Sequence, residues 1–567
     1  MLNIKVENAL SWLLAIGSAL VTCLVWSGSG TDPVNAPKLL VLGTVAFGVL
    51  SLIIKFGASM LWTNYRSLVM FIILVNLFVV SSTFFSKAPL VQNLYGAYGR
   101  NTGALTYFSL SVICLGAVLL SKRGSYVRVL QAFFIAGLIN VFYCFWVLGF
   151  GDPIPWNNTY KNILGLLGNP NFISAFLGML LAGALSYLLV PNNRASARIS
   201  SAALILASTF LIYKSHAIQG IFVALVASAL VVFFWIRSKT PSLMIQFGYV
   251  GLVVLGGIFA LAGILQHGPL SFIYKKSVSL RGSYWNAGIN MGQDHPLTGI
   301  GLDTYGDWYR SARPPVALID TPGPTVLTNA SHNVVIDIFS SGGWPLLVSY
   351  LAVMSLGLIA IFKLIKARRE YDVIAVGLSA VWVGYHVQSI VSINQIGLAL
   401  WGWLLTGLLI SYERLSREPI ADQLTESNSR KSKRNKGVSQ VASPQLLIGL
   451  GLAIGFIISI PPVSSDARWF TATQSRDLVK FKESLNSSYL NPMNSARYAN
   501  AAMILLEANL LDDSKEYALR GIAFNENYFE SYLVLYLNPK ASESEKAMAM
   551  KNMKRLDPKN PDVLKYR

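Results

Sequence analysis

Apolar segments long enough to cross a lipid bilayer recur along most of the chain, and they constrain its fold more than any other feature. About thirteen are present, judged against the roughly 20 apolar residues that a helix needs to cross the hydrocarbon core. They lie at about 9–26, 37–56, 67–86, 102–121, 127–149, 171–190, 199–213, 217–236, 243–265, 338–364, 372–393, 396–412 and 444–461. In lipid the backbone must satisfy its own polar groups, which favours helices. The sequence therefore predicts an all-α, polytopic membrane helix bundle.

Composition and charge agree with this class of protein. Hydrophobic residues make up 53% and charged residues 13% of the chain, outside the range of soluble domains. The net charge of +19 belongs mainly to the bundle, because residues 464–567 hold 15 Lys and Arg against 13 Asp and Glu. With a cytoplasmic N-terminus, every inward connection carries two or more Lys or Arg, as the positive-inside tendency requires. We therefore expect a multi-pass protein of the cell membrane with membrane lipids, and no nucleic acid, as partners.

The order of apolar and polar segments predicts four regions. Residues 1–412 form a transmembrane bundle with a large outer loop at 266–332. Residues 413–443 are polar, basic and without apolar periodicity, which is typical of a disordered cytoplasmic linker. The segment 444–461 is the last transmembrane helix, and 464–567 form an extracytoplasmic helical domain.

The C-terminal region has a repeat character. Asn491, Asn525 and Asn560 recur at about 34-residue spacing, and each precedes a helical pattern with aromatic, Leu and Ala residues. This spacing predicts tetratricopeptide-like helix pairs. Such a short helical array is suited to binding a partner or an acceptor.

Cations and histidines gather on the predicted outer face, which membrane topology normally depletes of positive charge. The histidines are His216, His267, His295 and His332, and the cations are Lys87, Arg100, Lys161, Lys214, Lys275, Lys276, Arg281, Arg310 and Arg313. An anionic ligand explains such a cluster most simply. The first outer loop offers only Asp32 where a metal site would need paired carboxylates, so no metal and no cofactor is expected.

Several motifs around the outer loop together resemble the O-antigen ligase and O-antigen polymerase superfamily, which includes bacterial protein O-oligosaccharyltransferases. They read LLGNPNFISAFLGMLLAG, KSHAIQGIFVALV, RGSYWNAG, DHPLTGIGLDTYGD and SHNVVIDIFSSGGWPLL. The resemblance covers roughly residues 100–403 and is strongest over 281–345. It implies a membrane glycosyltransferase, metal-independent and inverting, that passes a glycan from a polyprenyl diphosphate to a glycan, lipid or protein acceptor at the outer face.

The resemblance also implies roles for individual residues. Arg281 stands where the family has an essential arginine, and a guanidinium suits the leaving diphosphate; the alternative is an arginine that snorkels to the interface. His332 matches the histidine at the end of the family's loop and would serve as the base, unless it merely neighbours a helix cap. Arg100 is a second candidate for the diphosphate, or an interface anchor.

Further substrate-binding candidates are less specific. Gln219 stands where many members of the family carry an arginine, so Lys214 or Arg100 would have to supply the missing charge. Asn169 and Asn171, with Pro170 between them, are suited to binding sugar hydroxyls or to starting a helix. Asp303 is suited to orienting a partner or making a turn. The aromatic residues Trp156, Tyr160, Trp285, Trp308 and Tyr309 are suited to stacking on sugar rings or to an interfacial belt.

Two other functions remain open at this stage. A polysaccharide repeat-unit polymerase of the same superfamily differs from a ligase only in its acceptor. A transporter of lipid-linked glycans belongs to a different class, and it would need a polar path across the bilayer that the apolar spans do not supply.

Overall fold

The computed structural model describes residues 2–155, 158, 162–319, 323–367, 369–417, 443–475 and 477–565. Within these ranges the regular structure is helical, apart from one isolated bridge between Ser488 and Asn491. Trp156, Tyr160 and residues 418–442 of the predicted linker lie outside the described residues. The first residues of that linker region continue a helix as far as Ser416.

The bundle and its connections are built from helices that follow the apolar segments. In chain order they are α1 (Ile4–Cys23), α2 (Asn35–Leu52), α3 (Ala58–Asn64), α4 (Arg66–Phe85), α5 (Leu90–Tyr95), α6 (Ala104–Val118), α7 (Arg123–Phe150), α8 (Pro170–Leu188), α9 (Ala195–Lys214), α10 (Ile218–Lys239), α11 (Leu243–Ile264), α12 (Lys276–Asp294), α13 (Tyr305–Ala312), α14 (Val316–Ile319), α15 (Val334–Ala367), α16 (Val373–Val391) and α17 (Ile396–Ser416).

The C-terminal part consists of one more apolar helix and a set of shorter helices. They are α18 (Pro444–Ser459), α19 (Pro461–Ser475), α20 (Leu478–Glu483), α21 (Ser495–Glu507), α22 (Leu511–Phe524), α23 (Phe529–Leu537), α24 (Glu543–Leu556) and α25 (Pro561–Leu564). The helices α21 to α24 pack as two consecutive pairs around a core of Tyr498, Leu505, Tyr532 and Met553. The tetratricopeptide-like assignment of these pairs stays a prediction.

The described part of the chain has 11 helices long and apolar enough to cross a membrane, or up to 12 if the bent pair α18 and α19 counts as one span. The sequence predicts about thirteen, and the difference comes from α6 and the bent pair. The helix α6 has only 15 residues, about 22 Å at 1.5 Å per residue. Most of its residues are buried by neighbouring helices, so it lies inside the bundle rather than in contact with lipid along its length.

The helix α17 lies at the centre of the bundle. Trp401 and Trp403 are fully buried, and the Trp401 Nε1 donates a hydrogen bond to the Thr22 Oγ1 at 2.9 Å. Because neighbouring helices surround α17, its first residue, Ile396, lies in the middle of one end of the bundle. We call this end, which also carries the 266–332 loop and the C-terminal helices, the loop face.

A break in α15 fixes the outer loop to the bundle. Gly343 has φ +67°, and a Cβ at this position would approach the Pro296 carbonyl oxygen to 2.3 Å, so only glycine fits. The Trp344 N–H donates to the same oxygen at 2.9 Å, and the Ile300 N–H donates to the Ser340 carbonyl at 2.9 Å. The turn DHPLTGIGLDTYG therefore docks directly on the helix that follows the loop.

Two charged residues are fully buried at the ends of the first spans. The Glu7 carboxylate accepts hydrogen bonds from the Ser121 N–H at 3.0 Å and the Lys122 N–H at 2.8 Å, close to the start of α7. The Lys38 Nζ donates to the Val21 carbonyl at 2.9 Å, near the end of α1. A carboxylate near a helix N-terminus and an ammonium near a C-terminus both complement the helix dipole. These charges therefore serve the fold and leave the middle of the spans apolar.

Candidate active site

His332 lies in a tight turn immediately before α15. Its φ of +59° is rare for a residue with a side chain, so the surrounding contacts must hold it there. The Asp337 carboxylate accepts the Ser331 N–H at 2.7 Å, and the Asn333 side chain caps α15 by accepting the Val335 N–H at 3.0 Å. The turn therefore presents the imidazole in one orientation, and Asn333 is the helix cap next to it.

Tyr284 connects His332 to Arg281. The Tyr284 and His332 rings are stacked, with centroids 5.6 Å apart and planes at 30°. Arg281 lies three residues earlier on α12, and residues at this spacing share a helix face. Arg281 and His332 therefore occupy the same site, although fifty residues of loop separate them in the sequence.

Arg281 is a partly buried cation without an acidic partner. No carboxylate of the described residues forms an ion pair with it, and the Tyr284 and His332 side chains both lie close enough to interact with its charge. Burial lowers the pKa of the Arg281 guanidinium, but an arginine stays charged in proteins. An unpaired buried guanidinium favours the binding of an anion, and phosphate oxygens match its geometry.

Arg100, by contrast, is already paired. Its Nε lies 3.2 Å from the Asp303 carboxylate, and its Nη1 donates a hydrogen bond to the Asn329 carbonyl. The other oxygen of Asp303 accepts the Ala97 N–H at 2.8 Å and the Thr102 N–H at 3.1 Å. Asp303 thus holds Arg100 and the loop around it in place, a geometry that matches an orienting role rather than a direct contact with substrate.

The electrostatics of the site act on His332. Burial lowers the pKa of the His332 imidazole to about 4, with Arg281 and then Arg100 as further causes. Because this pKa lies well below neutral pH, the imidazole is uncharged there and can accept a proton. The arrangement therefore combines a neutral base with a nearby positive charge.

The remaining sequence-predicted residues lie at the ends of neighbouring helices. Asn171 is in the first turn of α8, where its N–H donates to the Asn169 side chain at 2.9 Å. Gln219 is in the first turn of α10 and is buried, and neither polar atom of its side chain has a hydrogen-bond partner among the described residues. Lys214 ends α9 with its Nζ 5.7 Å from the centroid of the Phe210 ring. None of the contacts described for these three residues joins them to His332.

Arg310 and Arg313 have protein partners, so the anionic ligand expected for the outer cations is not needed to explain them. Arg313 is fully buried, and its Nη2 lies 2.8 Å from both oxygens of Asp557. Arg310 pairs with Glu530 at 2.8 Å and with Asp557 at 3.3 Å. These acidic residues belong to the C-terminal helices, which therefore dock on α13.

A buried carboxylate completes this docking surface. Asp307 on α13 accepts the Asn525 Nδ2 at 2.9 Å and the Gln92 Nε2 at 3.2 Å. Burial raises the pKa of Asp307 to about 7, although both hydrogen bonds oppose the rise. Tyr309, predicted as a surface for stacking on sugar, is buried between Tyr284 and Tyr305 and cannot stack on a ligand.

Sequence reasoning missed Asp337 and Tyr284, which orient His332. Asp337 is buried, and one of its carboxylate oxygens has no hydrogen-bond partner among the described residues. A signal was present in the motif SHNVVID, where Asp337 follows the capping Asn333 by four positions. At this spacing a carboxylate in the first helical turn can accept a hydrogen bond from the preceding turn. Tyr284 had a signal in its i+3 spacing from Arg281.

The comparisons with known proteins agree with the fold and the motifs. Residues 203–351 match a family model described as Wzy_C, O-antigen ligase. This range includes Gln219, Arg281, Asp303 and His332. No curated protein matches the chain.

The chain thus has the helices of a multi-pass membrane protein, and its central part is similar to a ligase family. Its O-antigen ligase domain supports its membership of the O-antigen ligase superfamily, which confirms the resemblance of the sequence motifs. The match supports, at a coarse level, an enzyme of polysaccharide biosynthesis.

Proposed function

We propose that the chain transfers a glycan from a polyprenyl diphosphate to an acceptor hydroxyl at the extracytoplasmic face of the cell membrane. The observation that carries this proposal is the juxtaposition of His332, a neutral imidazole, with Arg281, a partly buried cation that has no acidic partner among the described residues. A base and an anion site are the two groups that displacement of a diphosphate by a hydroxyl requires.

The reaction is a single displacement at the anomeric carbon. His332 accepts the proton of the acceptor hydroxyl as the oxygen attacks, and the bond between the anomeric carbon and the diphosphate oxygen breaks. The diphosphate leaves with the bonding electrons, and Arg281 stabilises its negative charge. One displacement inverts the anomeric configuration, and no metal is needed because the guanidinium supplies the positive charge.

Donor binding should also prepare the base. In the free protein Arg281 and Arg100 help to lower the pKa of His332. A bound diphosphate compensates the charge of Arg281, so the pKa of His332 rises towards its ordinary range. The imidazole then becomes a stronger base when a donor is present.

The test is transfer by the purified protein in lipid nanodiscs. The protein is incubated with a polyprenyl-diphosphate glycan and candidate glycan, lipid and protein acceptors, and the products are identified by mass spectrometry. His332→Ala and Arg281→Ala should abolish transfer without preventing membrane insertion. Lys275→Ala is the matched control and should have much less effect, because the Lys275 Nζ donates to the His216 carbonyl at 2.8 Å.

The acceptor in this assay separates a ligase from a polymerase. Transfer to a second lipid-linked repeat unit identifies a polymerase, and transfer to another acceptor identifies a ligase. Full activity of His332→Ala would contradict the role of His332 as the base.

A further inference from the structure

A polar cavity of about 300 Å³ lies on the loop face beside the candidate active site. The starts of three helices meet there: α2 contributes Asn35, α8 is capped by Asn169, and α17 is capped by Gln395. Asn394 and Arg100 complete the polar wall, and Phe172 forms part of an apolar wall. We call this cavity the amide pocket. Sequence reasoning did not single it out, because its walls come from distant segments.

One donor in the amide pocket has no protein partner. The Gln395 side chain is only 3% exposed, and its Oε1 accepts the Leu398 N–H at 3.1 Å. Its Nε2 has no hydrogen-bond partner among the described residues. Buried polar groups are almost always hydrogen-bonded, so an unpartnered donor on a residue that lines a cavity points to a ligand with an acceptor oxygen.

The charges around the amide pocket are already compensated within the protein. Arg100 pairs with Asp303, and the Asp32 carboxylate accepts the N–H groups of Val34 at 3.1 Å and Asn35 at 3.0 Å. The carboxamides that remain are uncharged. Asn35 already donates to the Gly99 carbonyl at 2.7 Å, and Asn394 is hydrogen-bonded to Tyr385 and Tyr107. These two asparagines therefore offer a ligand only the rest of their donor and acceptor capacity, whereas the Gln395 Nε2 is a donor without a partner in the described part of the chain. This chemistry matches the vicinal hydroxyls of an uncharged sugar, whereas a diphosphate is better matched by the unpaired Arg281.

The amide pocket adjoins the candidate active site through Arg100. This residue lines the pocket, donates to the Asn329 carbonyl three residues before His332, and is one of the two cations that influence the imidazole. A ring in the pocket would therefore lie next to the reacting groups. The volume is at the lower end for small-molecule sites, which suits a single sugar ring.

We propose that the amide pocket binds one uncharged sugar ring of the glycan, with Gln395, Asn169, Asn35 and Asn394 hydrogen-bonding its hydroxyls and Phe172 facing its C–H surface. This proposal rests on the proposed function and adds a sugar subsite to it. The ring belongs either to the donor or to the acceptor. In a polymerase both substrates are glycans, whereas in transfer to a protein only the donor is a glycan.

Saturation-transfer NMR tests the subsite without requiring activity. The wild-type protein in nanodiscs is presented with methyl glycosides of neutral hexoses and N-acetylhexosamines, with hexuronic acids, and with inorganic pyrophosphate. Neutral glycosides should give signals, and Gln395→Glu should weaken their binding about tenfold, the effect of losing one well-made hydrogen bond. This substitution keeps the oxygen that caps α17. Asn169→Asp likewise keeps its cap on α8 and provides a second variant.

Gln293→Glu is the matched control, because it makes the same chemical change at an exposed residue of α12. It should bind the neutral glycosides as the wild type does. Absence of binding by every neutral glycoside, or equal binding by Gln395→Glu and the wild type, would overturn the subsite. Exclusive binding of the hexuronic acids would overturn its neutral character.

The transfer assay then locates the ring. In Gln395→Glu a raised KM for the lipid-linked donor assigns the ring to the donor, and a raised KM for the acceptor assigns it to the acceptor. Unchanged KM values for both would count against the subsite. If the wild type binds neutral glycosides but transfers nothing, the transferase proposal fails while the subsite stands.

Discussion

Replacing Arg281 with Gln should raise the pKa of His332. Burial is the largest cause of its low pKa and persists in the variant, whereas the repulsion from Arg281 is removed. The pKa should therefore settle above about 4 and below the ordinary 6.5. In the wild type that difference favours the neutral imidazole by about 3 kcal/mol and leaves about one His332 in a thousand protonated at pH 7.

NMR of protein carrying ¹³C-labelled histidine measures this pKa directly, with the His332 signal assigned by its loss in His332→Asn. The wild type should titrate near pH 4 and Arg281→Gln at a higher pH. Inorganic pyrophosphate should raise the pKa in the wild type and have much less effect in the variant. Lys275→Ala, which removes a cation that does not influence His332, should leave the titration unchanged. A wild-type His332 that titrates near 6.5, or the same pKa in both proteins, would refute the reasoning.

The same pKa also predicts how stability depends on pH. The folded pKa of His332 lies below the unfolded value, so between pH 6.5 and 4 the unfolded chain binds a proton that the folded chain does not. The contribution of His332 to stability is therefore complete above pH 6.5 and is lost as the pH falls towards 4. His332→Asn should weaken the pH dependence of the thermal midpoint in this range.

Three further predictions concern charge pairs and metals. Arg313→Met removes the closer of the two cations that pair with the buried Asp557 and leaves only Arg310 at 3.3 Å. It should cost a large part of the roughly 3–5 kcal/mol expected for breaking a buried pair, measured by thermal unfolding in detergent; the exposed Arg520→Met should cost less than about 1 kcal/mol. An effect of Arg313→Met no larger than that of Arg520→Met would contradict the buried pair. Asp303→Asn removes the charge that compensates Arg100, so it should lower the thermal midpoint, and an unchanged midpoint would count against this pairing. Transfer should be unaffected by EDTA, because a guanidinium supplies the positive charge. Loss of transfer activity in EDTA and its recovery with added metal would refute a metal-independent mechanism.

The sequence predicted the helical part of the fold well, because apolar length is a local signal. Each predicted apolar segment coincides with a helix, and what the sequence missed was that α6 is too short to count as a span and that α18 and α19 are bent by 43°. The short length of α6 and the bend between α18 and α19 depend on packing against neighbouring helices, and a local sequence pattern contains no information about that packing.

The candidate site was less accessible to sequence reasoning because its contacts join distant segments. Arg313 and Asp557 are 244 residues apart in the sequence, so Arg313 had the pattern of a ligand-binding cation until its partner was known. The pairing of Arg100 with Asp303 was hidden for the same reason. Gln395 could be recognised as a possible helix cap, but only the fold shows that the residue lines a cavity and that its second polar atom has no hydrogen-bond partner among the described residues.

The ion pairs of Arg310 and Arg313 with Glu530 and Asp557 attach the C-terminal helices to the part of the outer loop that packs against the candidate active site. Asp557 neutralises Arg313 inside the protein, and Tyr309 on the same short helix packs against the ring that supports His332. A chain truncated before Asp557 would leave the Arg313 guanidinium without its carboxylate partner, close to the residues that pack against His332. The last hundred residues therefore support the candidate active site through their packing against α13.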